Sequence, residues 1–258
     1  MLLSVITVNL NNSEGLQKTF DSISNQTYKD FEYIVIDGAS SDGSTNLMVN
    51  NTRINYWISE KDNGVYDAMN KGILQAKGDY LLFLNSGDYL ADPNVLSDCV
   101  PQLTKHDIIY GNIIFSGNGQ DKYYTYPEKL RFYHLFTASL GHPSTFIKKD
   151  LFQKYGLYDL QYPIIADWVF FLETIAKHRV STKYIHKVIS VFDVNGMSSD
   201  SANKTAILED RNRYIQQEFP LFYEDYRHLL NINHKLRRIQ SSKGFKWLKA
   251  LGSKKFQD

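Results

Sequence analysis

The sequence predicts an α/β fold built on a doubly wound, mostly parallel sheet, and three observations carry that expectation. Apolar runs of strand length alternate with segments of helical period through the first half of the chain. The runs 2–8, 31–36 and 80–84 each end abruptly in polar residues: Asn9, Asp37 and the tetrapeptide Asn85-Ser86-Gly87-Asp88. No internal repeat or low-complexity linker interrupts the pattern. Alternation of this kind puts helices on both faces of a sheet, and ligands then bind beyond the carboxyl ends of its strands, where those polar residues would gather.

Taken in order, LLSVITV reads as the first strand, residues 13–25 as a helix, FEYIVID as the second strand and NYWIS as a short third. In GVYDAMNKGILQA the apolar residues Val65, Met69, Ile73 and Ala76 form a helical stripe ahead of the strand YLLFL. Gly72 inside that helix costs about 1 kcal/mol relative to alanine, which implies a close backbone approach. Further on, DIIYGNIIF and KYYTYP read as antiparallel strands, STFIKKDLFQKYG as a strand and a helix, and residues 168–177 as another helix. From about residue 201 the pattern is helical and rich in aromatics. One domain over residues 1–200 with a helical extension over 201–258 follows.

At 258 residues, 43% hydrophobic and 22% charged, the chain can bury a full core as one large domain. A net charge of +1 supplies no global field to hold a polyanion, so no nucleic-acid partner is expected. The single cysteine, Cys99, allows neither an internal disulfide nor a thiolate metal site, and a reducing compartment suits it. The N-terminal run stops at Asn9 and lacks a basic leader, and no apolar stretch approaches the roughly 20 residues that span a bilayer. A cytoplasmic protein is expected, held peripherally on the inner face of the membrane if its basic C-terminus binds lipid.

Three aspartates stand out: Asp37 in IVIDGASSDGS, Asp88 in LNSGD and Asp167 in PIIADWVFFLE. Any one alone is ordinarily a turn former or a helix N-cap, as Asp42 in SDGST is expected to be. Glu60, Asp62, Asp67, Asn70 and Lys71 lie together in SEKDNGVYDAMNKGI, either as the wet face of a helix or as a polar site wall. His142, in GHPST, reads as a structural histidine. Phosphate-loop, dinucleotide, zinc-protease and nucleophile-elbow patterns are absent from the sequence.

VITVNLNN, IVIDGASSDGS, SEKDNGVYDAMNKGILQAKGDYLLFLNSGD, GHPSTFIKKDLF and ADWVFFLE, in that order, resemble the family 2 glycosyltransferases of the GT-A fold. More narrowly the chain is similar to bacterial transferases of O-antigen, capsule and colanic-acid type polysaccharide synthesis. The resemblance covers residues 2–200. It implies an inverting transfer of a sugar from a nucleotide diphosphosugar to a hydroxyl of a saccharide or lipid-linked oligosaccharide, with Mn²⁺ or Mg²⁺ as cofactor.

The same resemblance implies the site residues. Asp37 would bind the nucleobase, consistent with the N3–H donor of uridine, with Asn9 completing that pocket. Glu60, Asp62 and Asp67 would line the donor site. Residues 85–88 occupy the family's metal motif, usually Asp-x-Asp, so Asp88 would hold the ion while Asn85, standing where an acid is usual, would contact ribose or the ion's water shell. Asp167 would be the base that deprotonates the attacking hydroxyl, and it doubles as a candidate N-cap of the Trp168 helix. Residues 192–200, FDVNGMSSD, would form a loop closing over the diphosphate, with Ser198 or Ser199 donating to it.

Two alternatives differ in class. A non-catalytic sugar-nucleotide-binding partner subunit would explain the missing acids of the metal motif, but has no use for Asp167. A nucleotidyltransferase would need a Gly-rich basic first loop, which VNLNNSEG is not. The basic C-terminus, with Arg237, Arg238, Lys243, Lys246 and Lys249 among Phe245, Trp247, Leu248 and Leu251, is either a solvated tail or an interfacial membrane segment.

Overall fold

The computed structural model describes residues 2–117, 119–194 and 201–251. The first half runs β1 (Leu3–Asn9), α1 (Ser13–Ser24), β2 (Glu32–Asp37), α2 (Ser44–Val49), β3 (Tyr56–Ser59), α3 (Val65–Gln75) and β4 (Tyr80–Phe83). It continues through β5 (Tyr89–Leu90), α4 (Val95–Cys99), β6 (Ile108–Gly117), β7 (Gln120–Tyr124), α5 (Phe132–Thr137), β8 (Thr145–Lys148), α6 (Asp150–Tyr155), α7 (Ala166–Leu172) and β9 (Thr182–Asp193). Helices α8 (Lys204–Glu218), α9 (Pro220–Ser241) and α10 (Lys243–Ala250) follow.

The strands form one nine-stranded sheet in the order β3-β2-β1-β4-β8-β6-β9-β5, with β7 paired to β6. β3, β2, β1 and β4 are mutually parallel, β8 runs against both β4 and β6, and β6 pairs in parallel with β9 across a register shift between Gly111 and Ile113. β1, β2 and β4 are buried on both faces, which is why they read as continuous apolar runs, whereas β3 at the edge is only partly covered. Ile6 and Val8 of β1 pack with Met69 and Ile73 of α3, whereas Leu3 and Val5 pack with Leu16, Phe20 and Ile23 of α1. The close approach expected at Gly72 is to Ile6: a Cβ there would sit 2.5 Å from its Cγ2.

Three details depart from the sequence reading. The twelve-residue strand β9 went unread, because Lys183, His186 and Lys187 interrupt its apolar pattern. Phe192 and Asp193, expected in a loop, are the last residues of that strand. The helix expected over 168–177 begins at Ala166 as α7 and continues as a π-helical turn over Glu173–Lys177.

The chain divides into two compact units, Met1–Asp210 and Arg211–Asp258. In the second, α9 carries Leu229, Ile232, Leu236 and Ile239 exposed at helical spacing. α10 puts Lys243, Lys246 and Lys249 on one face and Trp247 and Leu248, with Leu251 of its C-cap, all exposed, on the other. No helix among the described residues is long and apolar enough to cross a membrane.

Candidate functional site

Parallel pairing brings three strand ends to one edge. Asn9 of β1 stands opposite Asp37 of β2, and Asp37 opposite Ser59 of β3. Asp37 is fully buried. Its Oδ1 accepts hydrogen bonds from Asn9 Nδ2 at 2.7 Å and Ser40 Oγ at 2.6 Å, and its Oδ2 from Ser40 N at 2.9 Å and Ser59 Oγ at 2.6 Å. Burial would raise the carboxyl's pKa, but the donors of Ser40, Ser59 and Asn9 outweigh it and hold the group below its ordinary value. These bonds orient the Asn9 amide and leave its buried Oδ1 without a partner.

The acids between β3 and α3 are tied into their own turn. Glu60 pairs with Lys71 at 2.9 Å. Asp62 Oδ1 accepts from Gly64 N at 2.9 Å, and its other oxygen lies 2.7 Å from where a Cβ on Gly38 would be. Asp67, in the first turn of α3, reaches back to accept from Asn63 N at 2.8 Å. Gly64 adopts φ +111° at the helix entry, a left-handed conformation that suits glycine.

The tetrapeptide beyond β4 is anchored by α1. Asn12 caps that helix through Gly15 N and donates its Nδ2 to Ser86 O at 3.0 Å. Thr19 Oγ1 donates to Asp88 O at 2.7 Å. Asp88 is only 3% exposed; its Oδ1 accepts from Asp193 N at 3.0 Å, while its buried Oδ2 and that of Asn85, Oδ1, have no partner. Burial outweighs the backbone donors of Asp193 and Asn85 and pushes the Asp88 carboxyl up to about 8, with the Asp193 charge adding to the rise and Lys18 opposing it. Asp193 Oδ2 lies 3.1 Å from where a Cβ on Gly87 would stand. Sequence reasoning missed Asp193, because β9 itself went unread.

Unpaired oxygens at Asp88 and Asn85, with a second carboxylate adjacent, are the donor set that Mn²⁺ or Mg²⁺ takes, so these residues fit a hard divalent ion. No group of three or more His, Cys, Asp or Glu able to hold a metal occurs among the described residues.

Asp167 lies in the first turn of α7, inside the helix and not at its cap, which is Ile165. Its Oδ1 accepts from Tyr66 Oη at 2.6 Å, and its Oδ2 faces His142 Nδ1 at 3.9 Å. His142, read from the sequence as structural, thus stands beside the candidate base. Ser198 and Ser199 lie outside the described residues.

The sequence profile of the family described as Glycosyl transferase family 2 matches residues 4–158. The chain belongs to that family. A PGL/p-HBAD biosynthesis glycosyltransferase of Mycobacterium bovis is 31% identical over 217 residues, covering 79% of this chain and 81% of the relative. An uncharacterized glycosyltransferase of Mycobacterium tuberculosis is 34% identical over 206 residues, 76% of this chain and 77% of its own. Among solved structures, S. aureus TarS 1–349 in complex with UDP-GlcNAc matches with a TM-score of 0.63 at 18% identity, over 84% of this chain and 67% of TarS. The mannosyltransferase PcManGT of Pyrobaculum calidifontis, in complex with GDP-Man and Mn²⁺, matches with a TM-score of 0.64 at 16% identity, over 87% of this chain and 68% of its own. These likenesses show the GT-A fold, and with the family they make this protein a glycosyltransferase.

Proposed function

We propose that this glycosyltransferase inverts the anomeric carbon of a UDP-sugar as it passes the sugar to an acceptor hydroxyl in bacterial surface polysaccharide synthesis. The observation that carries the reading is the pair of unlike buried carboxylates at one strand edge, Asp37 with every acceptor site filled and Asp88 with an oxygen left open. The TarS complex with UDP-GlcNAc supports a uridine donor, and the M. bovis relative named for PGL/p-HBAD biosynthesis supports a biosynthetic sugar transfer.

In this reading the uracil N3–H is received at the Asn9–Asp37 pair, where Asn9 Oδ1 is the unpaired acceptor and Asp37 holds the amide that carries it. Glu60, Asp62 and Asp67 keep the turn entering α3 in shape along the donor. Asp88 and Asp193, with Asn85, would hold Mn²⁺ or Mg²⁺. The ion, when bound, neutralises the departing diphosphate. Asp167 takes the acceptor proton as the hydroxyl oxygen attacks the anomeric carbon from the face opposite the leaving group; the glycosidic C–O bond to UDP breaks and UDP leaves with its electrons. Asp167 Oδ2 suits this role, since Tyr66 occupies the other oxygen and the side chain remains 18% exposed.

The test incubates the full chain and Mn²⁺ with a panel of UDP-, GDP- and dTDP-sugars, following nucleotide release and the product's anomeric configuration by NMR. UDP release with inversion is expected, and Asp167→Asn should lower it by roughly two to four orders of magnitude while leaving donor binding intact. Retention, or turnover only with another nucleotide, would overturn the corresponding part. Calorimetric binding of UDP-sugars without turnover would favour the non-catalytic partner subunit.

The acceptor end of the reading includes the membrane. α10 with its C-cap opposes three lysines to Trp247, Leu248 and Leu251, which suits an interfacial helix on anionic lipid at about 1 kcal/mol per basic residue. Co-sedimentation with vesicles of rising anionic content should be salt-sensitive and should be lost when Lys243, Lys246 and Lys249 are all changed to glutamate. Equal binding of the two proteins would end the membrane part and leave the transferase untouched.

A further inference from the structure

Asp167 sits in a cage that helix α3 reaches twice. Tyr66 and Asn70 stand four residues apart on α3, hence on the same face. Tyr66 Oη lies 2.6 Å from Asp167 Oδ1 and 3.0 Å from Ile164 O, both acceptors, and the carboxylate is the nearer. Asn70 clasps the backbone of Tyr158 from both sides, Oδ1 accepting from its N–H at 3.0 Å and Nδ2 donating to its carbonyl at 2.9 Å. Tyr158 Oη in turn lies 3.0 Å from His142 Nε2, and His142 Nδ1 faces Asp167 Oδ2. The helix therefore reaches the carboxylate twice, directly through Tyr66 and indirectly through Asn70, Tyr158 and His142.

The charge of the cage is as telling as its geometry. The titratable groups facing Asp167 are Tyr66 from α3, His142 from the turn before β8, Tyr158 from the segment between α6 and α7, and Tyr126 from the segment after β7. All four are held neutral near neutral pH: burial raises the three phenols and lowers the imidazole, against the pull of Asp167 on the latter. An arginine partner would fix a carboxylate equally well, but would depress its proton affinity by about one to three units and blunt it as a base. A phenol donor fixes one oxygen at smaller cost to basicity and leaves the other open.

We propose that Tyr66 is the positioning residue of the Asp167 base, donating to Oδ1 so that Oδ2 alone meets the acceptor, with the His142–Tyr158 pair, locked by Asn70, bounding that second oxygen. The inference rests on Asp167 being the base. It also gives α3 a second role, because the helix whose entry turn carries Glu60, Asp62 and Asp67 aligns the group that deprotonates the acceptor. Tyr66 touches neither reacting atom.

The test uses the full chain with Tyr66→Phe, which removes one hydroxyl and keeps the ring in its aromatic packing against Tyr158 and His142. UDP release is measured with UDP-glucose, UDP-galactose and UDP-N-acetylglucosamine. In Tyr66→Phe kcat should fall about tenfold while the donor KM stays within about twofold, because the base is kept and only its orientation is lost. His142→Gln is the second variant and should lower kcat by a smaller factor, again with the donor KM unchanged. An unchanged kcat in Tyr66→Phe, with Asp167→Asn inactive, would overturn the positioning role and leave the base in place. An active Asp167→Asn would instead overturn the base itself.

Discussion

Asp37 and Asp88 are both buried acids beyond parallel strands, 0% and 3% exposed, yet the fold completes one and leaves the other unfinished. Four donors surround Asp37, so its charge is stabilised by the protein alone and its pKa falls. Asp88 keeps an oxygen with no partner, and burial pushes its pKa up to about 8. The difference teaches that burial does not decide what a strand-tip carboxylate is for; the count of donors does. A filled carboxylate is a scaffold, and a starved one is a socket for positive charge.

The largest expected effect tests the filled end. Asp37→Ala strands the donors of Asn9, Ser40 and Ser59 and should destabilise the protein by about 3 kcal/mol, read by denaturant unfolding. The sign with pH follows from the lowered pKa: the stability that Asp37 contributes is present above the ordinary carboxylate range and is lost as pH falls through it. The gap between wild type and variant should therefore narrow in acid.

Asp88→Asn should act in the opposite direction in chelator-treated protein. A carboxyl raised to about 8 contributes stability that is complete below its unfolded value and is lost as pH rises through 8. The non-titrating amide should thus raise the melting temperature at pH 9, by the equivalent of a few kcal/mol at most, and change little at pH 4. The same variant should lose Mn²⁺ binding measured by electron paramagnetic resonance. A variant less stable than wild type at pH 9 would break the contrast with Asp37.

Two smaller effects sharpen it. Gly87 holds φ +104°, and a Cβ there would press on Asp193 Oδ2, so Gly87→Ala should cost about 1–2 kcal/mol in thermal unfolding and weaken Mn²⁺ binding. Asn85→Asp adds an acid where the sequence has an unpaired amide oxygen, and should tighten Mn²⁺ about tenfold, or about 1.4 kcal/mol, while lowering metal-free stability above pH 8.

How much of this was legible in the sequence divides along the same line. The ends of β1, β2 and β4 were, because strands buried on both faces leave no ambiguity about where an apolar run stops. The donors that fill Asp37 were not: Ser59 is an ordinary serine until the β2–β3 register sets it beside Asp37, and Ser40 until the turn after β2 folds it back. Nor was Asp193, since β9 mixes lysines and a histidine into its run and pairs with β6 across an irregular register. The start of α7 was misjudged by treating an aspartate near a helix start as its cap, when Tyr66, 101 residues away, already claims that side chain.

The separations in sequence give the two carboxylates different histories during synthesis. The contacts of Asp37 span 28, 22 and 3 residues, so all its donors exist once Ser59 has been made. The hydrogen bond from Asp193 to Asp88 spans 105 residues, and β5, the strand that follows Asp88, pairs among the described residues with β9. A nascent chain can assemble the surroundings of Asp37 early, whereas those of Asp88 must wait for the last strand of the sheet. Translation that stops short of β9 therefore leaves a polypeptide that holds every donor of Asp37 and lacks the backbone N–H that Asp88 accepts from.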